Sequence, residues 1–142
     1  METAYEVLGT GDRTRIATWW SEDMRWLVPG HHQMAGWWEG LDGFLEFMGR
    51  VGARTGNSFA MTRTAIMLSD SLSADVSHNV GSLAGRRGSR SVYDRLDIDV
   101  VHVLEWHEGR VVVGRGAIFG DGTSRFDQFW SQLADDGERV SG

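Results

Sequence analysis

The chain has 142 residues, a net charge of −6 and no cysteine. This length suits a single domain with one core. The only basic cluster is Arg86–Arg87, too little to neutralise a phosphate backbone, which argues against a nucleic-acid partner. Without cysteine there is no disulfide or thiolate chemistry, and no stretch is apolar enough for a membrane span or a secretory leader. We therefore expect one domain over residues 1–142, in the cytoplasm, with neither a nucleic-acid nor a membrane partner.

The first half of the chain carries helical patterns separated by glycine turns. Apolar residues at helical spacing, with Asp12 as an N-cap, predict helices at residues 3–8, 12–20 and 41–54. Between the second and third helices we predict a short strand at residues 23–28. A loop follows at residues 31–40, and it contains two histidines and two tryptophans.

The second half alternates with the period of β-strands. We predict strands at residues 58–68, 72–84, 90–106 and 110–119, with a turn at residues 107–109. In the second of these strands we place the apolar residues and one histidine on the buried face, namely Leu72, Ala74, Val76, His78 and Val80. The alternate residues, predicted to face outward, are Ser73, Asp75, Ser77 and Asn79.

The strand at residues 90–106 holds the most hydrophobic run of the chain. Its predicted buried face consists of Leu96, Ile98, Val100, His102, Leu104 and Trp106. Its outer face begins with Arg95, Asp97 and Asp99, which we expect to point away from any pocket. A C-terminal helix through residues 126–133 and a frayed tail after about residue 134 complete the prediction.

Helices followed by a run of antiparallel strands are typical of an α+β domain. One strongly curved sheet wrapped around the N-terminal helices would leave a pocket between them. Such pockets are mostly apolar, with a few placed polar groups. We therefore look for function among polar residues on otherwise apolar strand faces.

His102 is the first such residue. An imidazole titrates near neutrality, which suits a general base or a hydrogen-bond donor to a substrate carbonyl. The alternative is a core histidine bonded to a backbone or tryptophan partner. His78, on the adjacent strand, would form an acid/base pair with His102 if it faces inward. Its own alternative is a solvated histidine near a strand end.

The five histidines show no metal-ligand spacing, so we expect no metal and no cofactor. Seven tryptophans exceed what the packing of a small domain requires, and each indole N–H needs a partner. We expect several of them to line the pocket, where they would favour a flat, conjugated or polycyclic ligand.

Short motifs occur in chain order at residues 11–12, 26–30, 35–40, 44, 101–111 and 126–130. They resemble those of the SnoaL-like proteins of the nuclear-transport-factor-2-like superfamily, which includes ketosteroid isomerase, limonene epoxide hydrolase and polyketide cyclases. The resemblance covers nearly the whole chain. It implies a cone-shaped α+β barrel with a strongly curved, mostly antiparallel sheet, a deep apolar cavity and a homodimer formed through the outer sheet face.

The resemblance also shows which catalytic groups of relatives this chain lacks. His102 stands where the isomerase has its oxyanion-binding Asp, and Val28 stands where it has its base. Gly116 takes the place of the hydrolase's last-strand Asp. SnoaL-type cyclases carry an acid/base Asp near the end of that strand, where the nearest carboxylate here is Asp121. Tyr5 lies about where the isomerase has a catalytic Tyr.

We therefore predict an enzyme of the cyclase or isomerase type that acts on a hydrophobic, polyketide-like metabolite. The predicted catalytic residues are His102, Asp121, His78 and Tyr5. The predicted substrate-binding residues are Trp20, Trp26, Val28, His32, Trp37, Trp38, Ile98, Val100, Trp106 and Ile118. A cyclisation driven mainly by cavity shape is a variant of this prediction. The alternatives are a non-catalytic binding protein for an apolar metabolite and a hydrolase or dehydratase of the same fold.

Overall fold

The computed structural model describes residues 2–86, 88, 91–120 and 122–131. The helices of this part are α1 (Glu2–Leu8), α2 (Arg13–Ile16), α3 (Gly40–Thr55) and α4 (Gly122–Trp130). The strands are β1 (Trp20–Val28), β2 (Gly36–Glu39), β3 (Ala60–Leu68), β4 (Leu72–Ser82), β5 (Arg95–His107) and β6 (Arg110–Ile118), with one 3₁₀ turn at Val92–Asp94. None of these helices is long and apolar enough to span a membrane.

A six-stranded sheet forms the frame, in the order β2-β1-β6-β5-β4-β3. The strands β3 to β6 follow one another as antiparallel neighbours, as the sequence predicts. β1 joins β6 in parallel, and β2 pairs with β1 in antiparallel fashion. The sheet is curved but not closed, and with its helices it forms a cone-shaped α+β fold. The predicted fold class is confirmed.

The region around Trp20 differs from the prediction. Helix α2 ends at Ile16, and β1 begins at Trp20, so the predicted helix through residue 20 is wrong. Trp20 is fully buried, and its indole N–H donates to the carbonyl of Ala4 at 2.9 Å. The backbone N–H of Val111 then donates to the carbonyl of Trp19, which starts the parallel pairing with β6. Tertiary contacts with α1 and β6 thus override the local helical pattern.

Helices α3 and α4 cover the concave face of the sheet. α3 buries one stripe, Leu41, Phe44, Phe47, Val51 and Thr55, and ends at Gly56 in the left-handed conformation. The guanidinium of Arg54 donates to the carbonyls of Phe129 and Trp130 at 2.9 and 3.1 Å. These bonds satisfy carbonyls at the end of α4, and they fix α4 beside α3.

The two faces of β4 are the reverse of those predicted. Ser73, Asp75, Ser77 and Asn79 are buried, whereas Leu72 and Val80 are exposed. Asp75 is directly opposite His102 in the β4–β5 register, and directly paired residues share one face of a sheet. Because His102 faces inward, the polar row of β4 must also face inward. The homodimer through the outer sheet face stays a prediction.

Candidate functional site

A cavity of about 270 Å³ lies between the concave face of the sheet and helices α1, α3 and α4. Its wall is almost entirely apolar, with aromatic and aliphatic side chains from every one of these elements. Among the described lining residues, Tyr5, Asn79 and His102 carry polar side-chain groups, besides the indole N–H groups of Trp26 and Trp130. A mostly apolar pocket with a few convergent polar groups is the usual form of a small-molecule site.

Asp75 lies behind this wall and organises two of the polar residues. Its carboxylate is fully buried, with 0% of the residue exposed. Oδ1 accepts a hydrogen bond from the hydroxyl of Tyr5 at 2.8 Å, and Oδ2 lies 3.1 Å from Nδ1 of His102. The carboxylate therefore joins helix α1 to strand β5 through one hydrogen-bonded group.

The bond to Asp75 defines the protonation pattern of His102. A carboxylate only accepts hydrogen bonds, so Nδ1 of the neutral imidazole must carry the proton and Nε2 must carry the lone pair. Within the described part of the chain, Nε2 has no hydrogen-bond partner. The ring lies on the cavity wall beside Trp26, with ring centroids 5.6 Å apart. An oriented imidazole with a free lone pair in a pocket can act as a general base.

Gly116 leaves room beside this base. It is paired with His102 across β5 and β6. A Cβ at this position would lie 3.7 Å from Cδ2 of His102 and 3.5 Å from Pro29, so a side chain would begin to fill the space next to the imidazole. The absence of a side chain therefore keeps the cavity open at His102.

Tyr5 has a different role from the predicted one, because its hydroxyl proton is donated to Asp75 and not to the cavity. Burial raises the pKa of Tyr5 well above its ordinary value, and the negative charge of Asp75 raises it further. The guanidinium of Arg63, 4.8 Å from the centre of the Tyr5 ring, acts in the opposite direction. Tyr5 therefore remains a neutral donor that positions Asp75.

Among the predicted substrate-binding residues, five lie on the cavity wall, namely Trp26, Val28, Ile98, Val100 and Ile118. Their binding role stays a prediction. Three tryptophans lie away from the cavity, because their indole N–H groups anchor other parts of the fold. Trp20 donates to Ala4, Trp38 donates to the carbonyl of Met34 at 3.0 Å, and Trp106 donates to Ser73 Oγ at 2.8 Å.

Trp37 and His32 also lie away from the cavity. Trp37 is 41% exposed, and the guanidinium of Arg25 lies 4.0 Å from its ring centre. His32 is buried in the loop before β2, where Nε2 lies 2.9 Å from the carbonyl of Pro29 and Nδ1 accepts the N–H of Met34. Both nitrogens of His32 thus hold the loop in place.

His78 lies on the outer face of the sheet, so it cannot form the predicted pair with His102. Its side chain is 43% exposed, with Nδ1 2.9 Å from Asp99 and Nε2 3.0 Å from Asp97. The hydrogen bond to Asp99, supported by the charges of both carboxylates, raises the pKa of His78 above its ordinary value. The fourth predicted catalytic residue, Asp121, lies outside the described residues.

Sequence reasoning missed Asp75 and Asn79, which it placed on the outer face. The signal that would have found them is the register of β4 on β5. If His102 is inward, each residue directly opposite an inward residue of β5 is inward too, and Asn79 is paired with Ile98. The alternation within β4 alone does not reveal which face is buried.

A six-stranded curved sheet that encloses an apolar cavity with helices is the fold of the nuclear-transport-factor-2-like class. The sequence profile of the SnoaL-like domain matches residues 1–114, and the chain belongs to this family. A search of curated proteins finds no significant match.

Solved structures agree with this assignment. The chain is similar to Bal32a from a soil-derived mobile gene cassette, with 25% identity, a TM-score of 0.77, and coverage of 91% of this chain and 92% of that one. A protein of unknown function with a cystatin-like fold from Xanthomonas campestris has 23% identity and a TM-score of 0.74, covering 91% and 94%. A putative SnoaL-like polyketide cyclase from Jannaschia sp. CCS1 has 14% identity and a TM-score of 0.63, covering 82% and 83%. The last two likenesses concern the fold alone.

Proposed function

We propose that this protein is an isomerase or cyclase that removes a proton next to a carbonyl group of a compact, apolar metabolite. The observation that carries the proposal is the buried Asp75–His102 pair, which leaves Nε2 of His102 as a free lone pair in an apolar cavity. The SnoaL-like family, in which polyketide cyclases occur, supports the same class of reaction.

Asp75 supplies the two properties that a histidine base requires. Its hydrogen bond selects the Nδ1–H tautomer and fixes the ring orientation. Its negative charge then stabilises the imidazolium that forms when Nε2 takes up a proton. Tyr5 holds the carboxylate in place from the opposite side.

The proposed reaction moves one proton and one electron pair. Nε2 of His102 takes the proton from the carbon next to the carbonyl, and the electron pair of the broken C–H bond moves into the carbonyl to give an enolate. In an isomerisation, the imidazolium returns the proton to a different carbon. In an aldol cyclisation, the enolate carbon attacks a second carbonyl, and the imidazolium protonates the new alkoxide. Either route leaves the enzyme unchanged.

The cavity limits the size of the metabolite. Its volume of about 270 Å³ lies just below the range of roughly 300–1,000 Å³ that is usual for small-molecule sites. We therefore propose a substrate of one or two rings in place of the polycyclic ligand that the tryptophan count suggested. Only Trp26 and Trp130 contribute indole rings to the wall among the described residues.

Hydrogen–deuterium exchange tests this proposal without the natural substrate. The probe is 4-cyclohexylcyclohexanone, an apolar ketone with exchangeable hydrogens next to its carbonyl, and NMR in D₂O reports their loss. We expect the wild type to accelerate the exchange, His102→Gln to reduce it to the buffer rate, and His78→Gln to exchange at the wild-type rate. His78→Gln is the matched control because His78 lies on the outer face.

Two results would contradict the proposal. Exchange that persists in His102→Gln would show that another group is the base. Binding of the ketone with no exchange above the buffer rate would favour the alternative of a non-catalytic binding protein.

A further inference from the structure

Asn79 has a polar side chain on the cavity wall, and the proposed chemistry does not use it. It is 94% buried, lies on the same inner row of β4 as Asp75, and lines the same cavity as His102. Around it the wall is apolar, with Met61, Leu96 and Ile98 among the lining residues. A buried polar side chain in such surroundings requires hydrogen-bond partners for its donors and acceptors.

Ser77 satisfies one side of the Asn79 amide. The hydroxyl of Ser77 donates to Oδ1 of Asn79 at 3.0 Å, and Ser77 is itself fully buried. This bond orients the amide, so that the acceptor faces Ser77 and the NH₂ group is directed away from it. In the described residues, the amide nitrogen of Asn79 has no hydrogen-bond partner. Asn79 therefore offers an oriented donor to whatever fills the cavity.

The positions of Asn79 and His102 in the sheet determine how far apart their side chains are. Asn79 is paired with Ile98, four residues before His102 on β5. Four residues of a strand span about 13 Å. Because both side chains project from the concave face into one cavity, groups that meet them must lie at opposite ends of the same molecule.

We propose that Asn79 selects substrates with a hydrogen-bond acceptor at the end opposite the reacting carbonyl. The inference rests on the proposed function of His102, and it refines the substrate class. The substrate is a compact apolar compound with an oxygen function at each end, one next to the proton that His102 removes and one that accepts from Asn79 Nδ2. A monofunctional apolar ketone of the same shape leaves this donor unsatisfied, and it binds less tightly.

A matched pair of ketones tests the inference. 4-Cyclohexylcyclohexanone has one carbonyl, and 4,4′-bicyclohexanone has the same carbon skeleton with a second carbonyl at the far end. Quenching of the fluorescence of Trp26 and Trp130, whose indole rings line the cavity, gives the dissociation constants of both ketones. For the wild type we expect the diketone to bind about fivefold more tightly, the effect of one neutral hydrogen bond.

Two variants separate the donor from the packing. Asn79→Leu removes the donor at similar volume and abolishes the preference for the diketone. At a pH at which its carboxyl group is ionised, Asn79→Asp keeps an acceptor for the Ser77 hydroxyl but replaces the NH₂ donor with an acceptor, so it reverses the preference. Circular dichroism shows whether each variant is folded, and Asn79→Asp keeps the test valid if Asn79→Leu is not.

The outcomes distinguish this inference from the proposed function. Equal binding of the two ketones by the wild type, or a preference that survives in Asn79→Asp, overturns the role of Asn79 alone. A diketone preference without hydrogen–deuterium exchange overturns the catalytic role of His102 alone. If neither ketone binds up to its solubility limit, both proposals fail.

Discussion

Oδ2 of Asp75 and Nδ1 of His102 are 3.1 Å apart across β4 and β5, and 0% of Asp75 is exposed to solvent. The carboxylate has a second bond, from the hydroxyl of Tyr5. A buried carboxylate is costly unless it is hydrogen-bonded, and these two donors account for both of its oxygens. The arrangement directs the other nitrogen of the imidazole to a cavity where a ligand can reach it.

Asp75→Asn should abolish the exchange activity while preserving the shape of the site. An asparagine whose carbonyl still accepts from Tyr5 presents its NH₂ group to His102, so Nδ1 must accept and Nε2 must carry the proton. This tautomer has no lone pair at the cavity. We expect the exchange rate of 4-cyclohexylcyclohexanone to fall by at least about 100-fold, as a wrong tautomer does in related base systems. Retention of the wild-type rate would contradict the role of Asp75.

Tyr5→Phe should lower stability more than activity. The change removes one of the two donors to the buried carboxylate, and we expect the free energy of unfolding to fall by about 1–3 kcal/mol. The bond to His102 remains, so the exchange rate should fall less than in Asp75→Asn. Urea unfolding measures the first effect. Tyr93→Phe is the control because Tyr93 is 45% exposed, and equal stabilities of the two variants would argue against the bond.

The sequence was sufficient for much of the fold but not for the partner of His102. On β5 charged and apolar residues alternate clearly, as at Asp97 and Ile98, so the inward face of this strand could be predicted. In β4 the apolar side chains lie on the outer face of the sheet. The polar side chains lie on the inner face, where their hydrogen-bond partners are. The donor of Asp75 on helix α1 is Tyr5, 70 residues away in the chain. A hydrogen bond between residues so far apart in the chain leaves no periodic pattern in the sequence. For this reason the face of β4 was predicted wrongly.

Gly114→Ala and Gly116→Ala should differ sharply in their effect on stability although the two glycines are only two residues apart on β6. A Cβ at Gly114 would collide with the indole ring of Trp26, whereas one at Gly116 meets only ordinary van der Waals contacts. We expect Gly114→Ala to cost about 1–3 kcal/mol in the free energy of unfolding, as an overpacked core does. Gly116→Ala should change stability by less. Thermal unfolding of both variants checks this, and equal effects would contradict the packing described for Trp26.

His78, which lies on the outer face of the sheet, should make the free energy of unfolding depend on pH. The bond to Asp99 raises the folded-state pKa of His78 above its ordinary value of 6.5. The stabilisation by the imidazolium is therefore fully present below the unfolded-state pKa, and it is lost as the pH rises through the folded-state pKa. Urea unfolding between about pH 5.5 and about pH 9 should show wild type more stable than His78→Gln at the acid end only. A constant difference across this range would show that the charge has no role.

The proposed role of Asp75 depends most directly on the tautomer of His102. Long-range ¹H–¹⁵N correlation spectra report which ring nitrogen carries the proton, with His102→Gln used to assign the signals. For the neutral imidazole of His102, we predict a proton on Nδ1 and a free Nε2 in the wild type, and the reverse in Asp75→Asn. A wild-type spectrum with the proton on Nε2 would contradict the central claim that Asp75 prepares His102 as the base of the cavity.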